Sequence, residues 1–291
     1  MTARSKPLRS LLYIPGSRER ALEKAAGLPT DGIIFDLEDA VAPDDKARAR
    51  ALVAETLTGR DYGRRSLMVR INGFDSPWWE PDLEAVCAAA PEAILLPKVN
   101  GPADIARLAA WLDRHPACAD TAIWAMMETP AGVLAADAVA AAERMHGMVL
   151  GTNDLAKDLR LRGGDERAAL TASLSLCLLA ARARGLICID GVYNRYQDTE
   201  GLRAECEQGR ALGMDGKSLI HPAQIAVAND VFAPSAEEVA LAERRIDAFA
   251  EAEAKGQGIA VLDGQIVENL HVEAARALLD QVAMIREMEA G

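Results

Sequence analysis

The sequence predicts an α/β fold, a TIM (β/α)8 barrel followed by a C-terminal helix–hairpin–helix extension. Three observations lead there. Eight short apolar runs alternate with helical stretches rich in Ala, Leu, Glu and Arg, and such alternation implies right-handed βαβ units in a parallel sheet. The runs are almost continuously apolar, as strands covered on both faces are. The first turn, IPGSRER, has one glycine and no G-x-G-x-x-G. A doubly wound open sheet, the competing fold, places a glycine-rich turn there.

The first strand is SLLYIPG (10–16), with a helix over 17–28. The basic segment before it has too short an apolar part and no small-residue cleavage site, so it reads as part of the fold and not as a signal peptide. The second strand is GIIFDLED (32–39) and its helix 46–59; the third is SLMVRING (66–73) with 80–89; the fourth is AILLPKVN (93–100) with 102–115. TAIWAMMETP (121–130) precedes a helix over 131–144, GMVLGTND (147–154) one over 165–184, and LICIDGVY (186–193) one over 200–212. GKSLIHP (216–222) is the eighth strand. Residues 1–234 thus form the barrel, and 235–291 the extension. In the extension an amphipathic helix (235–256) leads into GIAVLDGQIVENL (258–270), where alternation around Asp263-Gly264 signals a hairpin. A last helix covers 271–288.

Composition narrows the function classes. Half of the 291 residues are hydrophobic and 26% are charged, a globular profile. A net charge of −12 argues against nucleic acid or an anionic membrane as the main partner. No apolar run approaches the roughly 20 residues of a membrane span. The five cysteines are scattered without C-x-x-C. That pattern fits a reducing cytoplasm and neither a disulfide nor a zinc framework. Cys177 and Cys188 are expected to pack as small hydrophobes.

Every strand ends on polar residues: Asp36, Glu38 and Asp39; Arg70 and Asn72; Lys98; Glu128 and Thr129; Asn153 and Asp154; Asp190; Lys217 and His221. In a barrel these ends meet at one mouth, where barrel enzymes build their sites. Each residue taken alone has a plain alternative as a helix cap, Thr129 and Asp154 especially. Glu128 in METPAG and Asp154 in GTNDL are the candidate metal pair, because two carboxylates with waters and substrate oxygens suit Mg2+. No histidine cluster points to zinc. His221 reads as a hydrogen-bonded wall residue, and His115, His146 and His271 as surface residues. Period two puts Ile33 and Phe35 on one side of their strand and Ile34 on the other. Asp36 and Glu38 then share a face if the chain stays extended, and both are expected near Glu128, Asp154 and Arg70. Asp39 points elsewhere.

RSLLYIPGSRERALEKAA, DGIIFDLEDAVAPDDKARAR, VRING, LPKV, METPAGV, LGTNDLAKDL, IDGVY and GKSLIHPAQI occur in this order. From residue 9 to about 285 the chain resembles the citrate lyase β-subunit-like branch of the HpcH/HpaI aldolase superfamily, which includes malyl-CoA and citramalyl-CoA lyases. The resemblance implies Mg2+, a CoA-thioester substrate with a 2-oxoacid, and usually a homotrimer. It carries over Glu128 and Asp154 as Mg2+ ligands and Arg70 as the residue holding the 2-oxoacid. Asp36 and Glu38 fall in the acidic motif around the metal. Arg18 and Lys24 lie where the family places CoA phosphates. A hairpin aspartate of the family, acting as acid/base in a neighbouring subunit's site, is matched by Glu268. Glutamate titrates similarly but is one methylene longer, so either the geometry or the preferred reaction shifts. The implied activity is cleavage or formation of a 3-hydroxyacyl-CoA, such as malyl-CoA or citramalyl-CoA, from a 2-oxoacid and an acyl-CoA such as acetyl-CoA. No lysine Schiff base is needed, and Lys98 and Lys217 are supporting charges. Alternatives are a citrate lyase β subunit acting on an acyl-carrier-protein thioester, a malyl-CoA thioesterase, and a non-catalytic ligand-binding barrel. The intact METPAG and GTND motifs argue against the last.

Overall fold

The computed structural model describes residues 6–290. Eight parallel strands close into a barrel in sequence order: β1 Ser10–Pro15, β2 Gly32–Asp36, β3 Ser66–Arg70, β4 Ala93–Leu96, β5 Ala122–Met127, β6 Met145–Leu150, β7 Ile187–Asp190 and β8 Gly216–Leu219. Closure pairs Ser10 of β1 with Lys217 of β8. The helices are α1 Glu19–Ala25, α2 Lys46–Gly59, α3 Trp79–Cys87, α4 Pro102–Leu112, α5 Pro130–Leu134, α6 Ala136–Ala140, α7 Thr152–Asp158, α8 Glu166–Ala183, α9 Thr199–Leu212 and α10 Ile225–Phe232. Beyond them come α11 Ala236–Ala254, the hairpin strands β9 Ala260–Leu262 and β10 Gln265–Val267, and α12 Asn269–Glu289. No helix among the described residues is long and apolar enough to cross a membrane.

Alternate residues of each strand fill the barrel. Leu11, Ile34, Met68, Leu95, Trp124, Met126, Val149 and Ile189 pack as one buried cluster, the layered interior that a closed parallel sheet requires. Gly147 leaves room for the Trp124 indole, since a Cβ there would lie 2.6 Å from Trp124 Cε3. Ile33 and Phe35, of opposite parity to Ile34, are fully buried outside this cluster, as a strand covered on both faces demands.

The chain divides into two compact units, Leu8–Asp230 and the residues from Val231 on, the latter together with Lys6 and Pro7. In the second unit Ser235 and Glu238 form a capping box at the start of α11. β9 and β10 pair antiparallel around Asp263 and Gly264. Both turn residues have positive φ, 52° and 76°, the conformation of a type I′ hairpin turn. Ala252, Ala260, Val267 and Val272 make this unit's core.

Three sequence expectations are corrected. The helix expected over 131–144 is two short helices that break at Ala135 (φ −98°, ψ 11°). The expected strand end GTND turns at Gly151 into α7, so Asp154 stands in the first turn of a helix. Cys87 and Cys118, expected free, form a disulfide with a Cα–Cα distance of 5.9 Å. The two lie 31 residues apart, and only the lateral stacking of consecutive βα units brings the end of α3 to the turn before β5. The cysteines therefore give no argument for a reducing compartment.

Candidate active site

The site begins with a register. Asp36 closes β2, Arg70 closes β3, and the two are direct partners across the ladder. Each stands two residues after an interior residue, Ile34 and Met68, so both point into the mouth. Arg70 grips Asp36 with its fork: Nε donates to Oδ1 and Nη2 to Oδ2, each at 2.7 Å. Such bidentate pairs fix geometry as well as charge. Burial works against the Asp36 carboxylate, but Arg70 and the amides of Glu38 and Ala40 hold it below the usual carboxylate range. Arg70 also lies over the Tyr13 ring, 4.9 Å from its centroid.

Glu38 follows at the rim. Its Oε2 is 2.9 Å from Arg70 Nη1, an ion pair without a hydrogen bond. Burial pushes its carboxyl up to about 7. Glu128, after β5, is 1% exposed. Its Oε1 accepts a 2.7 Å hydrogen bond from the Lys98 amide, while its Oε2 is buried and finds no hydrogen-bond donor. Burial pushes this carboxyl too up to about 7. Lys98 adopts φ +54°, a left-handed backbone uncommon for lysine, and its amide meets Glu128 in that conformation. Its ammonium ion-pairs with Asp154 and lies 3.5 Å from Glu128 Oε1 and 3.9 Å from Glu38 Oε1. Burial works against Asp154, yet Lys98 holds it below the usual carboxylate range.

Tyr13, Asp36, Arg70, Glu128 and Asp154 line a cavity of about 330 Å³, together with the apolar Leu150, Val192 and Ile220. The donor set suits Mg2+. One lysine ammonium bridges Glu128 and Asp154, so the two carboxylates converge on a common point. The donorless Glu128 Oε2 is a buried acceptor that calls for a cation. Two carboxylates are the usual protein contribution to a Mg2+ site. No group of three His, Cys, Asp or Glu able to hold a metal occurs among the described residues.

The expected cluster of Asp36, Glu38, Arg70, Glu128 and Asp154 is therefore assembled. Asp39, expected to point away, edges the same cavity, 3.8 Å from Arg70 Nη1. Asn72, Asp190 and Lys217 are not at the mouth. Asn72 donates to the Leu37 carbonyl and to Asp82. Asp190 follows the interior residue Ile189, so it faces the helical layer, where it binds Arg167 and Lys217. Thr129 caps α5 through the Gly132 amide, and His221 caps the turn at Pro222–Gln224. Arg18, the residue before α1, and Lys24 on it are exposed and do not line the cavity. Glu268 is the exposed N-cap of α12 in the second unit, its amide donating to His271 Nδ1 at 3.0 Å. Sequence reasoning missed Tyr13, Met126 and Gly151, although strand parity with Leu11, Trp124 and Val149 marks all three as inward.

A family model for HpcH/HpaI aldolase/citrate lyase matches residues 9–222. Over 290 residues, 100% of both chains, the sequence is 56% identical to a (3S)-malyl-CoA thioesterase of Cereibacter sphaeroides. An L-malyl-CoA/beta-methylmalyl-CoA lyase of the same species is 34% identical, with 97% of this chain and 96% of that one covered. Among solved structures, CitE of Mycobacterium tuberculosis in complex with magnesium, acetoacetate and coenzyme A has 31% identity and a TM-score of 0.79, covering 97% of this chain and 100% of that one. The chain belongs to the HpcH/HpaI aldolase/citrate lyase family of enzymes.

Proposed function

We propose that this chain is a Mg2+-dependent thioesterase that hydrolyses a CoA thioester of the (3S)-malyl type to free CoA and the hydroxydicarboxylic acid. One observation carries the reading: full-length identity of 56% to a thioesterase of that name, against 34% to a malyl-CoA lyase. Hydrolysis, an alternative on the sequence alone, thereby moves ahead of carbon–carbon cleavage, which stays as the second reading on the strength of the lyase relative.

The residues divide the work. Arg70, locked by Asp36, offers its guanidinium to a substrate carboxylate. Mg2+ held by Glu128 and Asp154 supplies Lewis acidity toward substrate oxygens. Glu38 Oε2, which accepts no hydrogen bond, takes the proton as water adds to the thioester carbonyl and the CoA thiolate leaves. Arg18 and Lys24 supply charge for the CoA phosphates. Glu268 acts as acid/base in the site of a neighbouring subunit of a homotrimer. The cytoplasm is the compartment we assign, on the substrate class alone.

The test is product analysis with (3S)-malyl-CoA and Mg2+. Hydrolysis gives free CoA and malate in equal amounts; glyoxylate with acetyl-CoA instead restores the lyase reading. Glu128→Ala and Asp154→Ala are each expected to abolish Mg2+-dependent turnover. Full activity of either variant in EDTA overturns the metal assignment.

A further inference from the structure

Two donors at the mouth are aimed at one poor acceptor. Tyr13 Oη and Arg70 Nη1 each lie 3.7 Å from Met126 Sδ. A thioether sulfur accepts hydrogen bonds weakly. The other donors of this assembly are well used, since Arg70 Nε and Nη2 both go to Asp36. Tyr13, Arg70 and Met126 all line the cavity. A phenol O–H and a guanidinium N–H thus converge on a point in the cavity wall where a sulfur is the shared acceptor, although Nη1 also ion-pairs with Glu38 Oε2 at 2.9 Å.

We propose that Tyr13 Oη–H and Arg70 Nη1–H together hold one oxygen of the free carboxylate on the substrate's acyl group, which makes Tyr13 a substrate-binding residue. This rests on the reading that the acyl group is a hydroxydicarboxylic one. A carboxylate oxygen is a far better acceptor than sulfur, and charge-assisted bonds to it are strong and directional. Among the described residues that line the cavity Arg70 alone is basic, so an anionic group is favoured on its side. Tyr13 adds a donor there without adding charge. Burial raises its phenol well above the usual range, so it stays protonated and donating. Its place near the end of β1, with its ring against Arg70, gives the pair a rigid base.

Tyr13→Phe keeps the ring against Arg70 and removes only the O–H. The measurements are malate affinity by calorimetry with Mg2+ present, and kcat and KM on (3S)-malyl-CoA. Loss of one hydrogen bond to a charged group weakens malate binding and raises KM roughly 10- to 100-fold. The carboxylate is held equally in ground and transition states, so kcat stays within about twofold. Met126→Leu keeps the bulk and removes the sulfur, and malate binding is retained. Unchanged malate affinity in an active Tyr13→Phe enzyme overturns the proposal. So does a fall in kcat at constant KM, which puts the O–H at the reacting carbonyl instead. A wild-type protein that neither binds malate nor hydrolyses malyl-CoA overturns the functional reading, and this one with it.

Discussion

Gly151 has no room for a side chain. A Cβ there would fall 2.6 Å from Glu128 Oε2 and 3.1 Å from Met126 Cε. Its φ of −94° is open to alanine, so Gly151→Ala tests space and not backbone freedom. The new methyl drives the Glu128 carboxylate off the point it shares with Asp154. Mg2+ affinity is expected to fall on the order of tenfold or more by calorimetry, as when groups that orient metal ligands are lost. The new Cβ also collides with Glu128 Cβ, so the overpacked site is expected to lower the melting temperature as well. Unchanged affinity would mean that Glu128 makes room without cost and that its placement does not govern the metal. Lys98 carries the same lesson about single residues. The sequence assigns it a supporting charge, which its ammonium supplies to Glu128 and Asp154, and its left-handed backbone adds an amide donor to Glu128. A φ value leaves no mark in residue type when the residue is not glycine.

At the scale of elements, strand order was legible and side-chain direction only partly so. Apolar runs bounded by Gly, Pro, Asn and Asp marked all eight strands, because both faces of a barrel strand are buried. Parity placed Asp36 correctly through Ile34. The same parity, taken from the interior residue Ile189, turns Asp190 outward. The break at Ala135 falls between Leu134 and Ala136, both good helix formers, so the broken position itself carries no breaker residue. The outward group is a buried network: Lys217 Nζ lies 3.0 Å from Asp190 Oδ2 and 2.7 Å from Glu205 Oε1, and Arg167 bonds both Asp190 oxygens. Burial opposes the Asp190 charge, but Lys217 and Arg167 hold it below the usual range. A depressed folded-state value means that its stabilisation is present above the unfolded value of about 3.9 and is lost as pH falls through the folded one. Asp190→Asn leaves Lys217 buried without its main partner and costs about 3–5 kcal/mol at pH 7. In urea unfolding the gap between wild type and variant is expected to narrow below about pH 4. An equal gap at both pH values would show that Asp190 does not titrate with folding.

At the scale of the molecule, the barrel unit holds the mouth cluster and the second unit holds Glu268. If Glu268 serves a neighbouring copy, each site of a homotrimer combines the barrel of one subunit with the hairpin residue of the next. Such a heterologous contact closes into a ring. Two inactive variants then complement each other. Glu128→Ala spoils the barrel half and leaves Glu268 intact; Glu268→Gln does the reverse. In co-expressed, randomly mixed trimers a site is whole when its barrel comes from the second variant and its neighbour is the first. Each condition holds about half the time, so roughly a quarter of wild-type activity per site returns. Light scattering on the same sample checks that the trimers form. If Glu268 acts within its own subunit, every mixed site lacks one group or the other, and the mixture shows no more activity than the two variants measured apart. Trimers without complementation would therefore remove Glu268 from the neighbouring site, and a fully active Glu268→Gln variant would remove it from the chemistry altogether.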